Sequence, residues 1–458
     1  MREISIGPQR EKSKEKEQAM EQNNRRTFLK STTGTVIGFG VLSGLKSFGD
    51  ANQVVRIGVA GIRGRGRSHI EAFGAMKDVA VVALCDIDES VLKQRLESHA
   101  KYLKQPVKTY ADYREMLEDP NIDAVSIATP NHWHSIMGIW ACQAGKDAYV
   151  EKPCSHNLYE GRKLVEAARK HDRIVQHGTQ ARSSSAFKEA MQMLRDGTIG
   201  EVYYAKGLCY KWRDTIGRTP EEPAAPDGVH YDYWMGPAPK RPFTRNRFHY
   251  NWHWQWNYGS GDIGNQGVHE MDIARCGLGV GLPKVAQAAG GHFMFDDDQE
   301  TPNTLVATFK YPDENKMLVF EVRHWITNDE LLLGGKDNVI GDVFLGSKGI
   351  MITNGYFGYK VFLGKERTPG PANHSNGDPF TNFIQCVKSR KREDLDAEIL
   401  EGHLSAGLCH LANAAYRLES TLHFDPEKER CLDNRKADAI LQDKDRHYRN
   451  PYTVPKKI

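Results

Sequence analysis

The sequence predicts an α/β chain in two parts: a doubly wound parallel sheet at the N-terminal side, then an α+β domain with a large, mostly antiparallel sheet. Three observations predict it. Strand, turn and helix patterns alternate from Val54 to about Val150, a glycine cluster follows the first strand, and strands lengthen beyond Glu201.

The first strand is the β-branched run Val54 to Ala60, followed by Gly61-Ile62-Arg63-Gly64-Arg65-Gly66 and a helix to Met76. A second strand, Val79 to Leu84, ends in Cys85-Asp86, and Asp86 stands 20 residues after Gly66. Further units are a helix from Glu89, a strand near Val107, a helix from Asp112, the strand Ala124 to Ala128, a helix from Ser135 and the strand Ala148 to Val150. This is the layout of a Rossmann dinucleotide-binding domain: the glycines let backbone approach a pyrophosphate, the helix N-terminus offers free N–H groups, and the carboxylate holds ribose hydroxyls. One departure is Arg63, where G-x-G-x-x-G has its second glycine; the extra glycine is Gly64. Asp86 predicts NAD, since a carboxylate repels a 2′-phosphate, while Arg63, Arg65 and Arg67 keep NADP open as phosphate ligands.

Beyond Glu201 the predicted strands are Val202 to Cys209, Val285 to Phe295, Thr304 to Tyr311, Met317 to Trp325 and a hairpin over Gly341 to Asn354. Helices are predicted over Phe380 to Ser389 and Leu400 to Leu418. One sheet face serves substrate and the other is free to pair with a second subunit, giving a homo-dimer or tetramer.

Composition narrows the function classes. The 458 residues are 39% hydrophobic and 26% charged, with 62 Lys+Arg against 59 Asp+Glu. A mean hydropathy of −0.59 and the absence of apolar runs of about 18 residues exclude a polytopic membrane protein. Near-neutral charge argues against a nucleic-acid binder. The first 50 residues hold nine Lys/Arg and six Asp/Glu, so 53 of each sign remain and the body is formally neutral. Within residues 1–50, a polar leader, Asn24-Arg25-Arg26-Thr27-Phe28-Leu29-Lys30 precedes a mild apolar stretch and resembles the twin-arginine export motif. That resemblance implies the export machinery as a partner and a periplasmic protein. No A-x-A-like cleavage site follows before Val54, so an uncleaved leader would serve as a membrane anchor. The eight cysteines lack C-x-x-C or framework spacing and read as buried thiols.

Residues just after the strands face any ligand of such a sheet. Here they are Thr129-Pro130-Asn131-His132-Trp133-His134 and Glu151-Lys152-Pro153. Together with the glycine turn and Asp86, the strings Ala128-Thr129-Pro130-Asn131-x-x-His134 and Glu151-Lys152-Pro153 resemble the Gfo/Idh/MocA oxidoreductases, over nearly all of Val54 to Tyr452. The resemblance implies a dinucleotide-binding domain over 54–178 and a substrate-binding and oligomerisation domain over 179–452. It also implies an NAD(P)-dependent oxidoreductase acting on a sugar, polyol or glycoside hydroxyl. The implied cofactor residues are Gly61, Ile62, Arg63, Gly64, Gly66, Asp86, Thr129, Pro130, Asn131, His134, Glu151, Lys152 and Gln180, the last in the hinge Gly178 to Arg182.

Hydride transfer at a carbinol carbon needs a donor for the developing alkoxide and a proton acceptor. Lys152 suits the first role. Gly261 to Asp272 matches the family's Gly-x-His-x-x-Asp helix entry, which implies His269 as acid/base, with Asp272 either orienting the imidazole or serving structure. Many relatives carry Asp four residues before that His, whereas this chain has Asn265; Asp262 is a substitute if the loop folds back. Trp252, Trp254, Trp256 and Tyr258 alternate as on a strand and predict an aromatic sugar platform or a packed junction. The substrate residues expected are thus Lys152, Trp254, Trp256, Tyr258, Asn265 and His269. No metal is expected, since His249 and His253 lack a completing motif. An exported enzyme meets no free NAD pool, so the cofactor is expected to be tightly bound. Two alternatives stand beside the dehydrogenase: redox-neutral glycoside cleavage by transient oxidation and elimination, and a non-catalytic sugar sensor.

Overall fold

The computed structural model describes residues 54–325, 338–442, 448–455 and 457–458. The Arg25-Arg26 leader lies outside them.

Six strands, β1 (Val55–Ala60), β2 (Val79–Cys85), β3 (Lys108–Tyr110), β4 (Ala124–Ile127), β5 (Asp147–Val150) and β6 (Val175–His177), form a parallel sheet in the order β3-β2-β1-β4-β5-β6. Strands β1, β4 and β5 are buried on both faces, as a sheet covered by crossovers requires. The helices are α1 (Arg65–Ala75), α2 (Glu89–Ser98), α3 (Tyr113–Glu118), α4 (Asn131–Gln143) and α5 (Leu158–Lys170). Asp88 caps α2 by accepting from the Ser90 and Val91 amides, and Asn157 caps α5 through the Glu160 amide. Helix α1 begins at Gly64 with no side-chain cap, so its first-turn N–H groups stay available. The strand order reverses between β1 and β4, which opens a crevice beyond their carboxyl ends.

The second part begins with α6 (Ser185–Arg195), β7 (Val202–Lys211), α7 (Tyr231–Met235), α8 (Gly261–Asn265) and α9 (Gly267–Leu278). It continues with β8 (Val285–Gly291), β9 (Thr304–Tyr311), β10 (Lys316–His324), β11 (Val339–Gly346), β12 (Gly349–Asn354), β13 (Gly358–Leu363) and β14 (Thr368–His374). Helices α10 (Pro379–Ser389) and α11 (Ile399–Leu418), strands β15 (Leu422–Asp425) and β16 (Arg430–Cys431), and helix α12 (Arg435–Leu441) complete it. The ten strands run β14-β13-β12-β11-β7-β10-β9-β8-β15-β16, with β7 and β10 parallel and the other paired strands antiparallel. The expected mostly antiparallel sheet is present. It is longer than anticipated: the β13–β14 and β15–β16 hairpins are additional, and β8 ends at Gly291 rather than at Phe295.

Helix α9 lies against the inner sheet face, where Met271, Phe309, Phe320 and Phe344 join one core. Contact is close because Gly267 has no side chain; a Cβ there would stand 2.4 Å from the Phe320 ring. The aromatic segment departs from expectation. Residues His249–Trp254 form 3-10 turns, not a strand. Gly259 folds back onto them, since a Cβ there would meet the His253 carbonyl oxygen at 2.5 Å, and the Glu300 and Thr301 amides both donate to the Trp254 carbonyl. The aromatic alternation therefore serves local packing, with Trp234, Phe243, Phe248 and Tyr258 in a satellite core. All eight cysteines are free, six of them buried.

Gly267→Ala is expected to lose about 1–3 kcal/mol by overpacking against Phe320, read as a lower urea midpoint with the slope unchanged.

Candidate functional site

A cleft of about 370 Å³ opens beyond the carboxyl ends of β1, β2, β4 and β5. Its floor is the glycine turn. Gly61 has φ +79°, and a Cβ there would meet the Ala128 carbonyl at 2.6 Å; one at Gly66 would meet the Gly61 carbonyl at 2.2 Å. Both positions therefore demand glycine. At Gly64 a Cβ would meet nothing within 4 Å, so the extra glycine keeps open space above the helix N-terminus. Arg95 braces the turn, donating to the Ile62 and Arg63 carbonyls at 2.9 and 2.7 Å. Ile62 contributes through its backbone, its side chain being core.

Asp86 lies on the cleft wall and accepts from the Ile62 amide (2.9 Å) and the Asp88 amide (3.1 Å). Each carboxylate oxygen keeps a lone pair for a ribose hydroxyl. Burial outweighs these bonds and pushes its pKa up to about 6. Of the three arginines, Arg65 is committed to Glu151 at 2.8 Å and Arg67 approaches Glu71 at 4.0 Å, while Arg63 lines the cleft with no ion pair among the described residues. The phosphate-ligand expectation thus narrows to Arg63.

Beyond β4, Thr129, Pro130, Asn131 and His134 line the cleft. The Asn131 side-chain oxygen Oδ1 is buried without a hydrogen-bond partner among the described residues, an acceptor left for a donor such as a carboxamide. His134 spans the Pro153 and Thr129 carbonyls at 2.7 Å each. The glycine cradle, the half-satisfied Asp86 and this orphaned oxygen fit a dinucleotide.

Beyond β5, Glu151 accepts from Arg65 and, at 3.1 Å, shares a hydrogen bond with His69. Despite burial, Arg65 holds this carboxyl well below its ordinary range. Lys152 extends from the same turn and donates from Nζ to the Asn265 carbonyl (2.5 Å) and side-chain Oδ1 (3.2 Å). An ammonium has three hydrogens, so one remains. Desolvation brings the Lys152 pKa down to about 8, against the pull of Glu151.

Other sequence-predicted residues lie elsewhere. Asp262 does not serve as a free base: Arg213 grips it with two bonds (2.6 and 2.9 Å) and His324 Nε2 lies 2.9 Å away, holding its pKa far down. Asn265 Nδ2 donates to it at 3.1 Å, linking Lys152 to this ion pair. Asp272 does not orient His269. Arg182 binds its carboxylate at 2.8 and 3.0 Å, and Ser405 donates to it at 2.6 Å. His269 itself is buried beside the Tyr356 ring, its Nδ1 unpartnered, and is not among the cleft-lining residues. Burial, then the nearby Lys152 charge, hold it neutral. Gln180 precedes a short 3-10 turn and is not among the cleft-lining residues. Of the expected platform, Trp254 packs on His324 and under Arg213, Trp256 stacks with Arg417, and Tyr258 is buried on Trp234. These three do not line the cleft, whereas Trp252 of the same expected platform does.

The wall opposite the sheet is a strap, residues 228–258, that the sequence reading missed. Glu89 donates its amide to Gly228, His230 to Ile87, and His132 to Tyr258. The Trp133 indole donates to the Trp234 carbonyl at 3.0 Å. Tyr233, Trp234, His249, Tyr250, Trp252 and His253 thereby face the cleft. The C-terminal tail closes one side, with Arg449 donating to Gly236 and Ala238 and the Tyr452 ring edge-on to Trp133. Aromatic density over 230–258 was the available signal for the strap; Tyr452 carried none.

A doubly wound domain with a dinucleotide cleft, backed by an α+β domain that supplies the opposite wall, defines a nicotinamide-nucleotide-dependent class. Two family profiles make it specific: "Oxidoreductase family, NAD-binding Rossmann fold" matches residues 55–179, and "Oxidoreductase family, C-terminal alpha/beta domain" matches 192–281 and 367–453. The chain belongs to the Gfo/Idh/MocA family. It is similar to a glycosyl hydrolase family 109 protein of Shewanella sp. strain ANA-3, 30% identical over 158 residues, which is 34% of each chain. It is likewise similar to myo-inositol 2-dehydrogenase of Thermotoga maritima, 33% identical over 149 residues, 32% of this chain and 43% of that one. The matched stretch spans about a third of the first of these relatives and less than half of the second. In fold it is similar to a levoglucosan dehydrogenase solved with NADH and levoglucosan: TM-score 0.60, 17% identity, 81% of this chain and 99% of that one.

NAD affinity is expected to fall as pH drops through about 6, because ribose hydroxyls donate to the charged form of Asp86. In Asp86→Asn the affinity is weaker by roughly 10-fold or more and flat across that range, as calorimetric titration will read.

Proposed function

We propose that the protein is an NAD-dependent oxidoreductase acting on a hydroxyl of a sugar, polyol or glycoside. The observation that carries this reading is Lys152, held by Asn265 with one N–H spare, on the same cleft wall as Asp86 and Asn131. NAD is favoured over NADP because Asp86 occupies the ribose position and Arg65 is engaged by Glu151. When bound, the nicotinamide supplies the hydride acceptor. Lys152 hydrogen-bonds the reacting oxygen: as the ammonium it donates to a carbonyl being reduced and stabilises the developing negative charge, and as the free amine it takes the hydroxyl proton when an alcohol is oxidised. Asn265 orients the ammonium, and the strap and tail exclude water from the cleft.

The leader supports export by the twin-arginine route, with a tightly held cofactor, to the periplasm. A homo-oligomer is supported by the sheet face turned away from α9. Cys209 meets Asp262 on the inner face, so Leu208 and Tyr210 lie on the outer one; these two are buried within the chain, and the partly exposed apolar side chains beside them are Leu345, Ile350 and Phe362.

In a panel of sugars and polyols supplied with NAD, wild type is expected to produce NADH with at least one, and Lys152→Ala to lose roughly 10²–10³-fold in kcat/KM. Carbonyl reduction should slow as pH rises through about 8, where Lys152 gives up its proton.

The relative named a glycosyl hydrolase family 109 protein favours a second reading, redox-neutral glycoside cleavage. Incubation with aryl glycosides and no added cofactor separates the two. Aglycone release without accumulating NADH selects cleavage, and NADH accumulation without aglycone selects the dehydrogenase.

A further inference from the structure

The strap carries one polar group whose chemistry is set by the backbone. His253 lines the cleft, and its Nδ1 lies 2.5 Å from the Tyr250 carbonyl oxygen. A carbonyl accepts and never donates, so Nδ1 carries the hydrogen. The neutral ring then presents a bare Nε2, for which no hydrogen bond exists among the described residues. Two features fix the ring: it stacks on Trp252 with centroids 3.6 Å apart at 20°, and Gly259 packs directly beneath the His253 backbone.

We propose that His253 is a specificity-determining residue of the cleft, whose Nε2 accepts a hydrogen bond from a second hydroxyl of the carbohydrate while Lys152 donates to the reacting oxygen. This rests on the oxidoreductase reading of the same cleft and adds to it a requirement on the substrate. The ligand must offer an oxygen acceptor to Lys152 and, separately, a hydroxyl donor to the strap, so a polyhydroxylated ring qualifies and a singly hydroxylated alcohol does not.

The surroundings keep Nε2 an acceptor. Desolvation is the main cause that brings the His253 pKa down to about 3. The Tyr250 carbonyl opposes it from the same turn, Lys152 after β5 and Arg213 after β7 lower it further, and Asp262 of α8 raises it. Across ordinary working pH the ring therefore stays neutral. A protonated ring would present a second N–H and would reject a hydroxyl's hydrogen. The mode is pH-independent, unlike the contributions of Asp86 and Lys152.

The test uses the NAD-loaded full chain and calorimetric titration with D-glucose, D-galactose, their methyl glycosides and myo-inositol, each with its monodeoxy analogues. In wild type, one deoxy position, other than that of the oxidised carbon, is expected to weaken binding roughly 10- to 100-fold. His253→Phe keeps the stack on Trp252 and removes the acceptor; it should bind the parent sugar as weakly as the deoxy analogue and lose the discrimination. His253→Asn restores an acceptor oxygen and should recover part of it. NAD content and melting temperature confirm that each variant is folded and loaded. Nitrogen-15 shifts of labelled histidine should report an Nδ1–H tautomer for His253 between pH 5 and 8, as read independently of turnover. Unchanged discrimination in a loaded His253→Phe, or an Nε2–H tautomer, overturns the assignment and leaves the oxidoreductase reading intact. Absence of both carbohydrate binding and NADH formation in wild type overturns that reading and this one with it.

Discussion

The site depends on two buried carboxylates that are never without a cation. Glu151, at the end of β5, is held by Arg65 and His69; Asp262, at the start of α8, is held by Arg213 and His324. One belongs to the parallel sheet and the other to the second domain, and Lys152 sits between them through Asn265. Removing one partner from such a buried pair costs about 3–5 kcal/mol, because the remaining charge has no water to turn to. The pairs are therefore less a source of net stability than a constraint: each fixes its carboxylate within its own domain, and the link that crosses between the domains is the Lys152 ammonium donating to Asn265, whose side-chain amide donates to Asp262.

The same constraint explains which residues are available for chemistry. Asp262, Asp272 and Glu151 are all buried acids near the cleft, yet each is held ionised by an arginine and is a poor proton acceptor. Of the groups lining the cleft, Lys152 is brought down to about 8 by burial and Asp86 raised to about 6 by burial, and behind the cleft burial also raises Glu270 to about 8.

The parallel domain was legible because its signals are local. β-branched runs, the glycine cluster and Asp86 at its spacing each report a backbone requirement, and Gly61 and Gly66 meet theirs at contact distance with Ala128 and with each other. Lys152 was legible for the same reason, standing immediately after a strand that must end at the cleft. The aromatic segment was not. Trp252, Trp254, Trp256 and Tyr258 have the period of a strand, but pairing needs a partner strand, and the Gly259 approach and the Trp254 carbonyl contacts commit the chain to turns instead. The Trp254 contacts reach Glu300 and Thr301, more than 40 positions away, which periodicity cannot register. For the same reason the sequence left Asp272 open between orienting His269 and serving structure, and its partner, Arg182, stands 90 residues earlier.

The neutral amide at position 265 has a physical consequence. A carboxylate there, accepting from the same ammonium, would add an attraction of about 4 kcal/mol at a separation near 4 Å and an effective dielectric of 20. That corresponds to about three pKa units, and it would hold Lys152 permanently charged. With Asn265 the two hydrogen bonds are kept and the charge is not, so orientation is separated from electrostatic pinning. Desolvation then dominates and brings the Lys152 pKa down to about 8. Asn265 also passes its amide hydrogen to Asp262, so the lysine is anchored to the Arg213 ion pair without being neutralised by it. The replacement that looked like a missing base in the sequence is, in the folded chain, what orients Lys152 without pinning its charge.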